Sequence, residues 1–441
     1  MQFLPSALKE IYDAVVKRSY KDLILDFSGL EAAFADGMVP LCSYVRYIKE
    51  EYNVSIEYVA PNSLRLNRIF VNANWAHLID STARESKYSG YKQFPATIVN
   101  DDDDLSSVVN SVLDCVLRAT DLKCREDLGV IEWVINEIAE NILRHSESTV
   151  GGLVHLSRFI QNKKCIEIVF SDSGIGIAES LKSVPKYSTA SDCELLELAT
   201  REGITNGKGM GNGLYGARSV SVQSNGYFKI YSNHGKLEIG NKGTPYTQMT
   251  PMVIPFHETA ICIALDFSTP GVLESALNFN DERYRYVSVY TEVLYDDEDT
   301  IFEIKKEVAS LSTRSIGASF RRKVVNLIEM QNPDYITFDF DGIDSTMSSS
   351  FADEVFGKII EEKGKKFISK IRMKNIRACL ETSAFIVTRR HVDKKRLCAA
   401  AKTREDCQTV PQRSDGQRMG ACTSSPAPCF WRRSEAQNRP A

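Results

Sequence analysis

The chain has 441 residues, of which 43% are apolar and 25% charged, and its formal net charge is −4. This length is too great for one hydrophobic core and suggests about three domains. The composition is ordinary for a globular protein, and the net charge argues against a surface coated with nucleic acid. No apolar run is long enough to span a bilayer, and the first residues lack a signal peptide's pattern, so we expect a cytosolic protein.

The cysteine pattern fits a reducing compartment. Eleven cysteines are present, and the six before residue 300 lie mostly inside apolar patterns. This distribution favours buried free thiols over disulfides. Because no CxxC pair exists, a zinc site is not expected.

The first predicted module covers residues 1–95 and alternates strands with helices. Residues 22–27 alternate like a strand, 39–52 have helical spacing, and 54–59 form a second strand. This order predicts an α/β layer. The acidic run at 101–104 is typical of a solvated junction and a helix start.

The second predicted module covers residues 105–268. A helical stripe runs through 108–117, and a second helix carries residues 136–146. Strands are predicted near 152–160, 165–171, 227–239 and 259–267, with a helical segment at 193–201 between the two pairs. The pattern indicates a layer of helices on a mixed sheet.

The third predicted module covers residues 275–375, with helices at 305–311, 320–331 and 349–363 and a buried strand at 335–340. A weak internal repeat aligns residues 26–37 with 339–350 without a gap. Asp, Phe and Gly are identical and the apolar positions match. Either the two modules are related, or two ordinary strand–turn–helix units coincide.

Residues 376–441 differ in composition from the rest. They hold five cysteines and carry a net charge of about +7, against about −11 for the preceding body. We expect a disordered tail without a selected fold. The alternative is a basic tail that binds nucleic acid, which would give salt-sensitive binding.

Three motifs carry candidate chemistry. On a helix, Glu137, Asn141 and Arg144 fall within about 60° of one another, beside an apolar stripe. Asp172 ends an apolar strand and precedes two glycines, where a carboxylate can accept a hydrogen bond from an amino group. Glycines alternate over 207–213 before an apolar helix, so their backbone N–H groups could meet phosphates. Taken singly, a solvated helix face, a plain turn and a flexible linker explain them as well.

In this order, the three motifs resemble the N, G1 and G2 boxes of the GHKL ATPase superfamily, which includes gyrase, the heat-shock chaperone, histidine kinases and the mismatch-repair ATPase. The resemblance implies the Bergerat fold, a two-layer α/β sandwich with a mobile lid between G1 and G2. It also implies ATP and Mg²⁺ as cofactors. The fold class expected for the whole chain is therefore α/β (α+β), a Bergerat domain between two STAS-like α/β modules.

The resemblance assigns roles to individual residues. Glu137 would be the catalytic base that activates water or a hydroxyl group. Asn141 would hold Mg²⁺ between the phosphates, Arg144 would meet phosphate, and Asp172 would bind the adenine amino group. Among the glycines, Gly174 and Gly176 would shape the adenine floor, and Gly209, Gly211 and Gly213 would wrap the triphosphate.

One position departs from the family pattern. The G3 box of the family is a Gly-Thr before a final strand, whereas this chain reads His257-Glu-Thr259 there. Thr259 keeps the threonine, as a predicted nucleotide contact, and the glycine is missing. A Gly-Thr pair does occur at 243–244, but it lies in a polar loop.

A phosphoryl acceptor can be sought in the third module. A two-component histidine kinase is rejected, because only His77 lies upstream of the ATPase motifs and it has no dimerisation pattern. Residues 338–342 read Phe-Asp-Phe-Asp-Gly and residues 348–354 read Ser-Ser-Ser-Phe-Ala-Asp-Glu. Through these segments the third module resembles a STAS-like domain of unknown function and, more distantly, the STAS anti-anti-sigma proteins, whose serine is phosphorylated by a GHKL kinase. On that alignment Ser349 is the acceptor position, with Ser348 next to it. The alternative is a helix N-cap, a position where serine is favoured for backbone reasons.

If the internal repeat is real, module one carries Asp36 where module three carries Ser349, and a carboxylate there would imitate the phosphorylated state. The predicted function is an ATP-binding regulatory protein, in which the reaction is slow hydrolysis or serine phosphorylation of the anti-sigma-factor type. The alternative is a nucleotide-gated interaction module without turnover. We expect protein partners, STAS-like or signalling proteins, leave a homodimer open, and expect neither membrane nor nucleic-acid binding.

Overall fold

A computed structural model describes residues 4–90, 93–158, 164–207, 211–249, 258–280, 282–288, 290, 299–343 and 345–376. All of these belong to one compact unit. Within them, no helix is both long and apolar enough to cross a membrane. The predicted disordered tail, residues 376–441, lies almost entirely outside the described residues.

Module one is built around a parallel pair of strands. Its elements are α1 (Leu4–Tyr12) with a π-helical turn (Asp13–Lys17), β1 (Asp22–Asp26), α2 (Ala35–Tyr52), β2 (Ser55–Val59), α3 (Leu64–Asn72) and α4 (Trp75–Ile79). β1 and β2 pair in parallel, with Ile24 opposite Glu57. Their side chains alternate between exposed and more buried positions, because successive residues of a strand point to opposite faces.

The second module contains a large antiparallel sheet. Its strands, in chain order, are β3 (Phe94–Val99), β4 (Gly152–Arg158), β5 (Cys165–Asp172), β6 (Tyr227–Ser232), β7 (Gly235–Ile239), β8 (Pro245–Met249) and β9 (Thr259–Asp266). Among the described residues they form one sheet in the order β3-β4-β5-β9-β6-β7-β8. β9, the last strand in sequence, therefore lies at the centre, directly beside β5.

Helices connect these strands. They are α5 (Asp102–Ala119), α6 (Arg125–His145), α7 (Ile177–Lys182), a 3₁₀ turn (Pro185–Tyr187), α8 (Asp192–Ala199), α9 (Gly213–Gln223) and α10 (Val272–Ala276). The acidic run at 101–104 starts α5 as predicted, because the carboxylate of Asp101 accepts a hydrogen bond from the Asp104 N–H at 2.8 Å.

The sheet is covered on both faces. α5, α6 and α9 pack on one face, where Ile166, Ile168 and Phe170 of β5 join their core. α2 of module one packs on the other face, where Val169 of β5 joins the core of module one. The predicted α/β sandwich is thus confirmed, and module one adds a further helical layer to it.

Module three follows an antiparallel pair of short strands, β10 (Asn278–Phe279) and β11 (Glu282–Arg283). Its own elements are β12 (Asp299–Glu303), α11 (Ile304–Glu307), α12 (Arg314–Gln331), β13 (Tyr335–Asp339), α13 (Ser349–Ala352, a π-helical turn Asp353–Gly357, and Lys358–Lys363), a 3₁₀ turn (Lys365–Lys370) and β14 (Ile371–Lys374). The sheet order is β12-β13-β14, and both pairings are parallel.

A buried ionic network joins module three to α5. Lys323 of α12 lies 2.7 Å from Asp114 and 3.0 Å from Glu307, and Arg118 lies 2.7 Å from Asp114 and 2.6 Å from Glu307. Burial alone would raise the pKa of Asp114, but the two cations lower it to about 2. Because its two cations balance its two anions, the network can be buried without leaving an uncompensated charge.

The predicted helix at 305–311 is too long. α11 ends at Glu307, and Val308 has an extended backbone with φ −140° and ψ 137°. Arg118 donates a hydrogen bond to the Glu307 carbonyl oxygen at 2.8 Å. Arg118 of α5 thus gives the Glu307 carbonyl a hydrogen-bond donor from outside the helix, so the helix can end at this residue.

Candidate functional site

A cavity of about 430 Å³ lies between α6, the ends of β5 and β9, α7 and the start of α9. Its volume is within the range of roughly 300–1,000 Å³ typical of small-molecule sites. Its walls combine apolar side chains such as Ile138 and Leu214 with carboxylate, amide and hydroxyl groups. Glu137, Asn141, Arg144, Asp172, Gly176, Gly211, Gly213 and Thr259, predicted from separate motifs, all line it.

Asp172 stands at the buried end of the cavity. It is the last residue of β5, is only 5% exposed, and pairs across the ladder with Thr259, the first residue of β9. One carboxylate oxygen accepts a hydrogen bond from the Gly174 N–H at 2.9 Å. Burial raises the pKa of Asp172 to about 7, although the Gly174 hydrogen bond acts in the opposite direction.

The loop after Asp172 passes too close to its neighbours for side chains. A Cβ on Gly174 would lie 1.9 Å from the Ser146 carbonyl oxygen. Gly176 has a φ of +81°, and a Cβ there would lie 2.2 Å from the Asn233 side-chain oxygen. The amide of Asn233 in turn donates to the Ile175 carbonyl oxygen at 3.1 Å. Both glycines are therefore required by the shape of the loop.

The helix α6 presents its polar residues beside a buried stripe, as its 3.6-residue period predicts. The stripe consists of Ile131, Ile135, Ile138 and Ile142, all of which are buried. Glu137 and Asn141 are half-buried and face the cavity. Burial first, and then the charge of Glu140, raises the pKa of Glu137 and makes its carboxylate a stronger base.

The side chain of Arg144 lies mostly in solvent. Its side chain is 60% exposed, and its Nε lies 3.3 Å from a carboxylate oxygen of Glu140 on the same helix. The alternative explanation of this motif, a solvated helix face, thus describes Arg144 in this structure, with an added ion pair inside the helix. At the rim of the cavity it can reach an incoming anion by exchanging partners.

Gly211 and Gly213 of the third motif lie at the opposite wall. Gly213 opens α9 so close to α6 that a Cβ on it would be 2.7 Å from a carboxylate oxygen of Glu137. Gly211 has a φ of +74°. The start of a helix offers unpaired N–H groups and a positive dipole end to an anion. Gly209 lies outside the described residues.

Comparison with known families agrees with this geometry. Residues 126–253 match the family described as histidine kinase-, DNA gyrase B- and HSP90-like ATPase. Residues 317–378 match the STAS-like domain of unknown function. The chain carries a GHKL ATPase domain and a STAS-like domain. No curated protein is significantly similar to the chain.

Sequence reasoning missed a contact behind the ATPase site. The hydroxyl of Ser43 in α2 lies 2.9 Å from that of Ser173, which directly follows Asp172, and both side chains are buried. Glu258, which stands where the family has the glycine of the G3 box, is fully buried and accepts a hydrogen bond from Ser171 at 3.2 Å. The departure from the family pattern at residue 258 is a sequence signal that lies at this contact.

The two predicted phosphoacceptor serines differ in the structure. Ser348 is the N-cap of α13, because its hydroxyl accepts a hydrogen bond from the Phe351 N–H at 3.1 Å. Ser349 is exposed in the first turn of that helix. α13 packs on α12, α12 on α5, and α5 on α6. Ser349 is therefore separated from the cavity of its own chain by intervening helices.

The residues of the ATPase site fit ATP and Mg²⁺. Besides its bond to Gly174, the Asp172 carboxylate keeps acceptor capacity for an amino group. The side-chain oxygen of Asn141 is a ligand type that Mg²⁺ accepts, and Mg²⁺ is commonly held by one or two protein groups plus substrate phosphates. In the described part of the chain, no group of three or more His, Cys, Asp or Glu side chains is placed to hold a metal.

Proposed function

We propose that the protein binds Mg-ATP in the cavity between α6, β5 and α9 and uses it to control the packing of the two flanking modules. The observation that carries this proposal is Asp172. A carboxylate that is only 5% exposed, at the end of a strand and at the floor of a cavity of about 430 Å³, is costly unless a ligand group uses it. An adenine amino group is a donor of the required kind.

Each polar residue of the cavity then has a task. Asp172 accepts a hydrogen bond from the adenine amino group, and the N–H groups around Gly211 and Gly213 face the phosphates. Asn141 holds Mg²⁺, which when bound neutralises charge on the phosphoryl oxygens. Glu137 takes the proton of an attacking water or hydroxyl, a task for which its raised pKa suits it.

Contacts to module one and to the segment that precedes module three support a regulatory role. Behind the site, Ser43 of module one is hydrogen-bonded to the loop that carries Asp172. In front of it, the N–H of Asn280 donates to Glu202, in the segment between α8 and α9, at 2.6 Å. Phe279, beside Asn280, has its ring 5.8 Å from Trp133 of α6 and 6.1 Å from Tyr215 of α9. A lid movement on nucleotide binding would thus act on the segment that leads into module three.

For the reaction we propose either hydrolysis or transfer to Ser349 of a second molecule. Transfer within one chain is disfavoured by the helices between α6 and α13. A phosphate on Ser349 would be stabilised by the N-terminus of α13. At the aligned position of module one, Asp36 is half-buried against the ATPase sheet. The pKa of the neighbouring Glu167 is raised first by burial and then by the charge of Asp36. Asp36 is thus less accessible than Ser349.

The second candidate, a nucleotide-gated module without turnover, is favoured by the exposed position of Arg144 and its pairing with Glu140. The purified chain incubated with labelled ATP and Mg²⁺ distinguishes the candidates, when released phosphate and protein-bound label are both measured. An enzyme gives one of these signals in the native chain, and Glu137→Gln abolishes it while nucleotide affinity is retained. Binding without either signal would support the second candidate. No binding of adenosine nucleotides would contradict both.

A further inference from the structure

Modules one and three share a structural unit, not only a sequence pattern. At the end of β1, the carboxylate of Asp26 accepts a hydrogen bond from the N–H two residues further on at 2.8 Å, and Asp339 at the end of β13 does the same at 3.0 Å. The next residue, Phe27 or Phe340, donates its N–H to the last carbonyl of the parallel neighbouring strand at 3.0 or 3.1 Å. β1–α2–β2 therefore corresponds to β13–α13–β14.

The two units differ in one strand. β13 is a central strand between β12 and β14, whereas β1 pairs with β2 alone among the described residues. The consequence appears in burial: Thr337, in the middle of β13, is 1% exposed, and Ile24, at the same place in β1, is 65% exposed. Leu23 and Leu25 beside Ile24 are only half-buried. Within the part of the chain that the structure describes, module one therefore has no counterpart of β12.

An uncovered edge of this kind is unusual. Parallel sheets are normally buried on both faces, and an edge strand presents unpaired N–H and C=O groups to any extended chain that approaches. Ile24 stands on this edge between two exposed carboxylates, Asp22 and Asp26, and neither carboxylate forms an ion pair within the described part of the chain. The edge is thus apolar in its centre and acidic at both ends.

This charge pattern argues against a second copy of the chain as the occupant. In a twofold antiparallel pairing centred on Ile24, Asp22 of each copy would lie opposite Asp26 of the other. Like charges directly opposite one another destabilise a strand pair. A strand with basic residues at those two positions would instead form two favourable pairs.

We propose that the outer edge of β1 binds an extended segment of a partner protein as an added strand. The segment carries Lys or Arg opposite Asp22 and Asp26 and an apolar residue opposite Ile24. The chain contains its own precedent for the backbone pairing, though not for the charges: β12 lies parallel to β13, with its central Ile301 opposite Thr337 and with Phe302 buried beneath the sheet. Its Glu303 lies opposite Asp339, where Lys306 pairs with it at 2.8 Å. The partner's fourth residue is therefore apolar as well, and its second, like Thr300 of β12, is a β-branched residue that can be buried. This proposal is independent of whether the ATPase site turns over.

The test uses the full chain and a fluorescein-labelled peptide of sequence Thr-Lys-Val-Ile-Val-Lys-Thr, with binding followed by anisotropy. We expect saturable binding that is roughly 3- to 30-fold weaker for Asp22→Lys, since an attractive cross-strand pair becomes repulsive. A peptide with Glu in place of both Lys should show the reverse preference. Asp334→Lys, which reverses an exposed charge in module three, is the control and should bind like the native chain.

A second peptide separates strand pairing from simple charge attraction. Methylation of the peptide's backbone nitrogens removes its N–H donors and keeps its charge, so it should not bind. Equal binding of the methylated peptide, or no binding of the first one, would overturn the proposal. So would slow hydrogen exchange, before peptide is added, at the β1 amides that point away from β2, because the edge would then be covered already. A dimer in sedimentation that Ile24→Lys dissociates would assign the edge to a second copy and also refute it.

Discussion

Replacing Asp172 by Asn should stabilise the protein and at the same time weaken its binding of ATP. The carboxylate is buried, and its pKa is raised from 3.8 to about 7. The folded state therefore binds more protons than the unfolded state between these two values, and stability falls as the pH rises from about 4 through 7. Asn has nearly the same shape, can still accept the Gly174 N–H bond, and does not titrate.

The size of the effect follows from the two pKa values. Relative to an unfolded chain with the ordinary pKa, the raised pKa of Asp172 costs about 3 kcal/mol of the free energy of unfolding at pH 6 and about 4 kcal/mol at pH 8. Asp172→Asn removes this cost, so its advantage in the free energy of unfolding should grow by about 1.4 kcal/mol between these two pH values. Urea titrations of both proteins without nucleotide, at pH 6 and pH 8, measure this difference.

Nucleotide binding should change in the opposite direction. With its carbonyl oxygen used by Gly174, the Asn side chain turns an NH₂ group toward the cavity, where the adenine amino group is also a donor. A desolvated donor without an acceptor costs about 1–3 kcal/mol, which is roughly a 5- to 150-fold loss of affinity in calorimetry. Unchanged ATP affinity, or a stability advantage that is the same at both pH values, would refute the role given to Asp172.

Three further substitutions test the site and its supports. Gly174→Ala should lower the free energy of unfolding in urea titration by about 1–3 kcal/mol or more, because its Cβ would lie 1.9 Å from a backbone oxygen. Its control is Gly29→Ala, which should be nearly neutral because a Cβ there would have no atom within 4 Å. Lys323→Met should cost about 3–5 kcal/mol by leaving buried carboxylates uncompensated, while Lys306→Met, in a pair with side chains 74% and 55% exposed, should cost less than about 1 kcal/mol. Ser43→Ala should weaken ATP binding several-fold, by about 1 kcal/mol in calorimetry, although Ser43 does not line the cavity. An unchanged affinity would show that the contact with module one does not stabilise the site.

The parts of the site that the sequence predicts are those with a local signature. The period of α6 places Glu137 and Asn141 beside four buried isoleucines, and the apolar strand β5 delivers Asp172 to the sheet edge. These relations depend on residues within a few positions of one another. Helix and strand periods are sufficient to predict them.

The parts that the sequence does not predict depend on distant segments. Ser43 and Ser173 are 130 residues apart, and no periodicity relates them. The sequence does not predict the strand β3, because its six residues include Pro95 and cross the predicted end of module one at residue 95. The helix at 305–311 was predicted too long because Arg118, nearly 190 residues earlier, takes the carbonyl of Glu307.

Glu258 can replace the glycine of the G3 box because the sheet is covered on both faces. Thr259 and Asp172 are cross-strand partners on the cavity side, so the neighbouring residue 258 points to the opposite face, which α2 covers. Glu258 is buried there, and burial, together with the nearby Asp172 charge, raises its pKa well above the usual range although Ser171 donates a hydrogen bond to it. A Glu in place of the family's glycine thus changes the face that contacts module one, while Thr259 remains available to the nucleotide.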